Sequence, residues 1–88
     1  MTIELYTKTL CLYCSKAKQY LTAHKLPYTE LLFDDDSQRQ VMYDELGLVG
    51  NQRTVPQIFV SKDGVRTRIG GYSDLLHSGL GVVLNEDF

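Results

Sequence analysis

Cys11 and Cys14 are the two cysteines of this sequence, and they are spaced C-x-x-C. A thiolate, not a thiol, is the species that attacks a disulfide sulfur. A free cysteine has a pKa near 8.5, so few such side chains are ionised in neutral solution. Cys11 stands at the start of a predicted helix, where unpaired amide N–H groups and the helix dipole favour negative charge. Lys8, a little earlier in the chain, adds a positive charge. Together these are expected to bring Cys11 into the range of roughly 3.5–7.5 found for such motifs. Cys14 lies about one helical turn further on the same face, so its sulfur can reach Cys11. Being deeper in the first turn, it is expected to be buried and to act as the resolving thiol. Cys11 would attack a substrate disulfide to form a mixed disulfide, and Cys14 would then attack Cys11 and release the reduced substrate.

Other readings of the pair explain less. A structural disulfide across so short a loop constrains the unfolded chain little. A structural zinc site normally has four ligands. Here a second C-x-x-C is absent, and the two histidines, His24 and His77, have no H-x-x-x-H spacing. Two inert cysteines that pack as small hydrophobes are the plain alternative.

The elements that must position this pair can be read along the chain. Thr2 to Thr7 is a strand, with Ile3 and Leu5 on one face. Lys8 to Cys11 is a short loop. Leu12 to Lys25 is a helix, with Cys14, Ala17, Leu21 and His24 at helical spacing, and Leu26-Pro27 ends it. Tyr28 to Phe33 is a second strand. Asp34, Asp35 and Asp36 form a solvated turn of helix-capping residues. A second helix spans Ser37 to Leu46, with Val41, Met42 and Leu46 inward and Gly47 as its C-cap. Gln57 to Ser61 and Val65 to Ile69 are strands joined by an Asp63-Gly64 hairpin. A third helix begins near Ser73-Asp74, and Gly79 and Gly81 interrupt the pattern after it. Tyr6, Tyr20, Tyr28 and Tyr43 are expected to pack rather than to react. The order is β-α-β-α-β-β-α, an α/β fold with a four-stranded mixed sheet and helices on both faces. The first β-α-β unit makes its two strands parallel. A C-x-x-C just after the first strand of such a unit is the thioredoxin-like signature.

Composition is consistent with one domain over residues 1–88, since 43% of the residues are hydrophobic and 23% charged. A net charge of -2 argues against a nucleic-acid or membrane-surface role, because either needs a basic cluster. No run approaches the roughly 18 apolar residues of a spanning helix. Strand-like residues start almost at Met1, without the basic and apolar regions of a secretory signal. The expected compartment is the cytoplasm, where thiols are kept reduced. No repeat, low-complexity segment or linker is visible.

Three motifs, taken together, resemble the glutaredoxin family over about Ile3 to Leu76. They are Tyr6-Thr7-Lys8-Thr9-Leu10-Cys11-Leu12-Tyr13-Cys14-Ser15-Lys16-Ala17-Lys18, then Thr54-Val55-Pro56-Gln57-Ile58-Phe59, then Gly70-Gly71-Tyr72-Ser73-Asp74-Leu75. The resemblance implies a glutathione-disulfide oxidoreductase that reduces protein disulfides and glutathione mixed disulfides, with glutathione as co-substrate and no tightly bound cofactor or metal. Lys8 would meet the glycine carboxylate of glutathione, with Gln40 and Arg53 as further candidates. Tyr13 would pack along the tripeptide. The backbone of Thr54 and Val55 would pair with it like an added strand, and Pro56 would follow a cis peptide bond. Gly71, Tyr72, Ser73 and Asp74 would lie near the γ-glutamyl end. Partners would be glutathione and disulfide-containing or glutathionylated proteins, ribonucleotide reductase among them, and the chain would act as a monomer. Leu12 stands where the family commonly has proline, and Leu48 to Gln52 is a longer approach to Thr54, features shared with small bacteriophage glutaredoxins. Two neighbouring functions stay open on the sequence: a glutaredoxin-like redoxin served by thioredoxin reductase, and a glutaredoxin that holds a [2Fe–2S] cluster.

Overall fold

The computed structural model describes residues 1–79. Strands β1 (Thr2–Thr7), β2 (Thr29–Leu32), β3 (Gln57–Lys62) and β4 (Val65–Gly70) form one sheet in the order β2-β1-β3-β4. β1 runs parallel to β2 and antiparallel to β3, and β3 runs antiparallel to β4. This is the four-stranded mixed sheet expected of a thioredoxin-like chain. Asp63 and Gly64 both have positive φ at the β3–β4 turn, which is the backbone a two-residue hairpin of this kind requires.

Strand alternation divides the core between the two faces of the sheet. Ile3 and Leu5 of β1 point to the face covered by helices α1 (Leu12–Ala23) and α3 (Tyr72–His77). There they pack with Ala17, Leu21, Ile58, Val60 and Leu75. Tyr6 points to the other face, where α2 (Asp36–Glu45) supplies Met42 and Tyr43. Tyr20 and Tyr28 flank the first cluster, so all four tyrosines assigned to packing do pack. Val41 is a correction: it is 53% exposed, and Tyr43 takes the inward position.

Both longer helices end in the same hydrogen-bond pattern. After α2, Leu48 N–H donates to Tyr43 C=O and Gly47 N–H to Asp44 C=O, with Gly47 at φ +70°. After α1, Leu26 N–H donates to Leu21 C=O and Lys25 N–H to Thr22 C=O. These are Schellman caps, each closed by an apolar contact across the turn. In α1 the left-handed position falls on Lys25, at φ +57°, so the helix stops before the lysine that the sequence pattern includes in it.

Glu30 ties α1 to the sheet. The buried Thr7 hydroxyl donates to it at 2.7 Å and Lys18 Nζ lies 3.0 Å away. The Thr7 hydrogen bond, with help from Lys18, holds the Glu30 carboxyl below its ordinary value of 4.5. A carboxyl lowered on folding stabilises the protein above its unfolded pKa and loses that contribution as pH falls through the folded one. Glu30→Gln keeps an acceptor for Thr7 and removes the titration. A partly exposed pair is worth about 0.2–1 kcal/mol, so the variant should melt roughly 1–8 °C lower at neutral pH. The difference in Tm should shrink below pH 4.5. A gap that stays constant down to strong acid would show that Glu30 does not contribute through its charge.

Candidate active site

The loop before Cys11 is held in place by a carboxylate. Asp34 accepts from both Thr9 N–H and the Thr9 hydroxyl at 2.6 Å. The Thr9 hydrogen bonds hold the Asp34 carboxyl below the usual carboxylate range. The acidic run is therefore exposed but engaged. Asp35 caps α2 by accepting from Gln38 N–H, and Asp36 pairs with Arg39 at 3.1 Å. Leu10 follows at φ +57° and is 99% exposed, and the chain then enters α1 at Cys11.

Cys11 is the N-cap of α1 and has extended backbone angles. Its Sγ accepts from Cys14 N–H at 3.2 Å, so an unpaired amide of the first helical turn points at this sulfur. Cys11 and Cys14 are joined as a disulfide, with Cα atoms 5.2 Å apart. Cys14 is 1% exposed, whereas Cys11 is only half-buried. An incoming disulfide can reach the first sulfur and not the second. Among the described residues, no group of three His, Cys, Asp or Glu side chains is arranged to hold a metal ion.

The Val55–Pro56 peptide is cis, and Val55 C=O lies 3.8 Å from Cys11 Sγ. Among the described residues Val55 N–H has no acceptor. Cavities open on both sides of this segment. One, of about 370 Å³, brings Lys8, Cys11, Gln40 and Arg53 together beside Thr54 and Val55. The other, of about 650 Å³, is lined by Tyr13, Pro56, Gly71, Tyr72, Ser73 and Asp74 among others, again beside Thr54 and Val55. The three separated motifs thus line two cavities that share Thr54 and Val55, the first of them lined by Cys11 as well. Tyr13 and Tyr72 stack, with ring centroids 6.0 Å apart, and join the first motif to the third.

Within the first limb, the candidate cations differ. Arg53 donates to Leu48 C=O at 2.9 Å and to Gln40 Oε1 at 3.1 Å, and pairs with Asp44. Arg39 is occupied by Asp36 and by the carbonyls of Phe33 and Asp34. Lys8 has no ion-pair partner within 4.0 Å among the described residues. In the second limb, Asp74 accepts from Gly71 N–H at 2.9 Å and caps α3, which starts at Tyr72, slightly earlier than its capping residues suggest. Gly70 has φ +115°, and a Cβ there would fall 2.8 Å from Asp74 Cγ, so this turn requires glycine.

Sequence reasoning gave four residues of this site no role of their own. Asn51 and Gln52 line the second limb, and so does Arg68. Gln57, fully buried, holds the groove wall from behind: its amide donates to Gln52 C=O at 3.0 Å and Thr54 C=O at 2.8 Å, and its oxygen accepts from Arg68 Nε at 2.9 Å. A polar residue directly before the apolar run Ile58-Phe59-Val60 was the available signal, because a buried amide needs partners.

Comparison with known proteins agrees with this arrangement. The family model described as Glutaredoxin matches residues 3–65. A glutaredoxin of Neisseria meningitidis is 34% identical over 74 residues, covering 84% of this chain and 80% of that protein. Glutaredoxin 3 of Escherichia coli is 34% identical over 73 residues, covering 83% and 80%. Among solved structures, glutaredoxin 1 of Francisella tularensis complexed with cacodylate superposes with a TM-score of 0.77 at 33% identity, covering 96% of each chain. A buckwheat glutaredoxin–glutathione complex superposes with a TM-score of 0.69 at 26% identity, covering 94% of this chain and 74% of that one. A half-exposed cysteine at a helix start, a buried partner one turn on and a shared thioredoxin-like scaffold make this a thiol–disulfide oxidoreductase, and the chain belongs to the glutaredoxin family.

Proposed function

We propose that the protein is a cytoplasmic glutathione-disulfide oxidoreductase, reducing glutathione mixed disulfides and protein disulfides through Cys11 and Cys14. The observation that carries the glutathione reading is the open Val55 backbone between two cavities, beside the accessible sulfur. An extended tripeptide laid along Thr54 and Val55 gains a main-chain acceptor for Val55 N–H, in the manner of an added strand. Its cysteine sulfur then falls near Cys11, its glycine carboxylate toward Lys8, Gln40 and Arg53, and its γ-glutamyl end toward Tyr13, Gly71, Tyr72, Ser73 and Asp74. The glutathione named in the buckwheat complex belongs to that protein; it supports the same ligand here by likeness.

The chemistry balances without a further cofactor. The Cys11 thiolate attacks the glutathione sulfur of a mixed disulfide, forming a Cys11–glutathione disulfide and expelling the substrate thiolate. A second glutathione thiolate then attacks the bound glutathione sulfur, which regenerates the Cys11 thiolate and releases oxidised glutathione. Turnover with glutathione, glutathione reductase and NADPH on a glutathione mixed disulfide tests this reading. Turnover with thioredoxin reductase and none with glutathione would replace it.

Lys8 makes a sharper test of the first limb. Arg53 and Arg39 already hold carboxylates, so Lys8 carries the available charge for a ligand carboxylate there. A charge-assisted hydrogen bond is worth about 1.5–3 kcal/mol when shielded and less when solvated. Lys8→Ala should therefore lower kcat/KM for glutathionylated peptides by roughly three- to thirtyfold, mostly through KM. The loss should be much smaller for a mixed disulfide with cysteamine, which lacks a carboxylate. Equal losses on both would mean that Lys8 acts on the Cys11 thiolate and does not read the ligand.

A further inference from the structure

Arg68 stands apart from the other arginines. Arg39, Arg53 and Arg66 each have a carboxylate within ion-pair distance, whereas among the described residues Arg68 has none. Its Nε is committed to Gln57 Oε1 at 2.9 Å, which fixes the plane of the guanidinium. Among the described residues its two terminal nitrogens have no acceptor. Arg68, an exposed residue, is part of the lining of the second limb, which it shares with Tyr13, Thr54 and Asp74. A planar donor held at one nitrogen and open at the other two is pre-organised for a carboxylate, and little side-chain freedom is lost when one binds.

We infer that Arg68 is a specificity residue of the second limb and binds the α-carboxylate of a γ-glutamyl group. The inference rests on the proposed glutathione reading and adds to it a residue outside the three motifs. Asp74 lines the same cavity and complements Arg68 in charge. A γ-glutamyl head carries one carboxylate and one ammonium, and this limb offers one cation and one anion to meet them. The guanidinium also braces Gln57, which in turn holds Thr54 C=O, so loss of Arg68 has two separable consequences. One is loss of the carboxylate contact, which only a γ-glutamyl substrate feels. The other is displacement of the Thr54–Val55 segment, which every substrate pairing there feels.

The test is a ratio. A model peptide is prepared as its mixed disulfide with glutathione and, separately, with cysteinylglycine, which lacks the γ-glutamyl group. Release of the peptide thiol by the reduced protein gives kcat/KM for each. The wild-type protein should favour the glutathione adduct. In Arg68→Gln that preference should shrink by roughly five- to thirtyfold, and Arg68→Lys should recover part of it, since a point charge replaces the fork. Displacement of the shared segment lowers both rates alike and leaves the ratio unchanged. An unchanged ratio in Arg68→Gln, with the wild-type preference intact, overturns the inference while the glutathione reading stands. A wild-type protein that treats glutathione, cysteinylglycine and cysteamine adducts alike overturns both.

Discussion

Cys11→Ser is expected to reduce every disulfide-exchange activity by roughly three orders of magnitude or more, because a serine hydroxyl stays protonated at neutral pH and cannot act as the leaving thiolate. Cys14→Ser should behave differently. Only Cys11 is exposed enough for a substrate to reach, while Cys14 is buried behind it. With a glutathionylated peptide, the mixed disulfide that forms on Cys11 can be resolved by a second glutathione, so Cys14→Ser should keep activity within about tenfold of wild type. With a disulfide internal to a protein, Cys11 becomes linked to the substrate itself. Release then depends on attack by Cys14 on the Cys11 sulfur, which frees the substrate dithiol and leaves the Cys11–Cys14 disulfide for two glutathiones to reduce. Cys14→Ser should lose this second activity and accumulate a covalent protein–protein adduct visible on a non-reducing gel. Equal loss of both activities in the two variants would sink the division of roles.

Gln57→Leu should be the most damaging substitution outside the cysteines. Leucine has nearly the same volume, so the cavity term is small and the effect is polar. It removes the donor for Gln52 C=O and Thr54 C=O and the acceptor for Arg68 Nε. Leaving buried or half-buried groups unpaired costs about 1–3 kcal/mol per group, less where water can replace the partner. A total near 2–3 kcal/mol corresponds to a fall in Tm of roughly 8–20 °C for a domain of this size. The same amide holds the wall that carries Val55, so kcat/KM for glutathionylated peptides should drop by about tenfold or more in the folded variant, measured well below its Tm. Gln57→Glu, which keeps the acceptor for Arg68 but loses the donor, should fall between the two. A Gln57→Leu variant with wild-type Tm and activity would mean that the Thr54 loop is held by its own backbone.

How much of this was legible depends on distance along the chain. The strands, the Asp63-Gly64 turn and the Gly47 cap are written in neighbouring residues, and the structure has them within a few positions of where the pattern puts them. The end of α1 was less legible, because a lysine occupies the left-handed position that glycine would have marked. Val41 and Tyr43 both fit a helical stripe. Only the placement of α2 on the Tyr6 face decides that Tyr43 is buried and Val41 is not. The acidic run reads as a solvated turn until the β1–α1 loop is brought beside it. Asp34 then becomes the clamp on Thr9, a contact between residues 25 positions apart.

The sequence by itself determined the reactive pair, its place at a helix start and the strand that precedes it, because a C-x-x-C at a strand-to-helix junction is a local pattern. It also carried the three motifs that mark the family. The tertiary structure decided which charges remain available. Four arginines look alike in sequence, yet Arg53 and Arg39 are taken up by Asp44 and Asp36, Arg66 lies over Phe59 at 4.0 Å and pairs with Glu4, and Arg68 keeps two nitrogens open. That difference follows from register. The β3–β4 ladder shifts between Ile58 and Phe59, with Arg68 opposite Phe59, and its guanidinium reaches Gln57. Cross-strand neighbours are set by how strands pair, and pairing is a property of the folded sheet that no local run of residues contains.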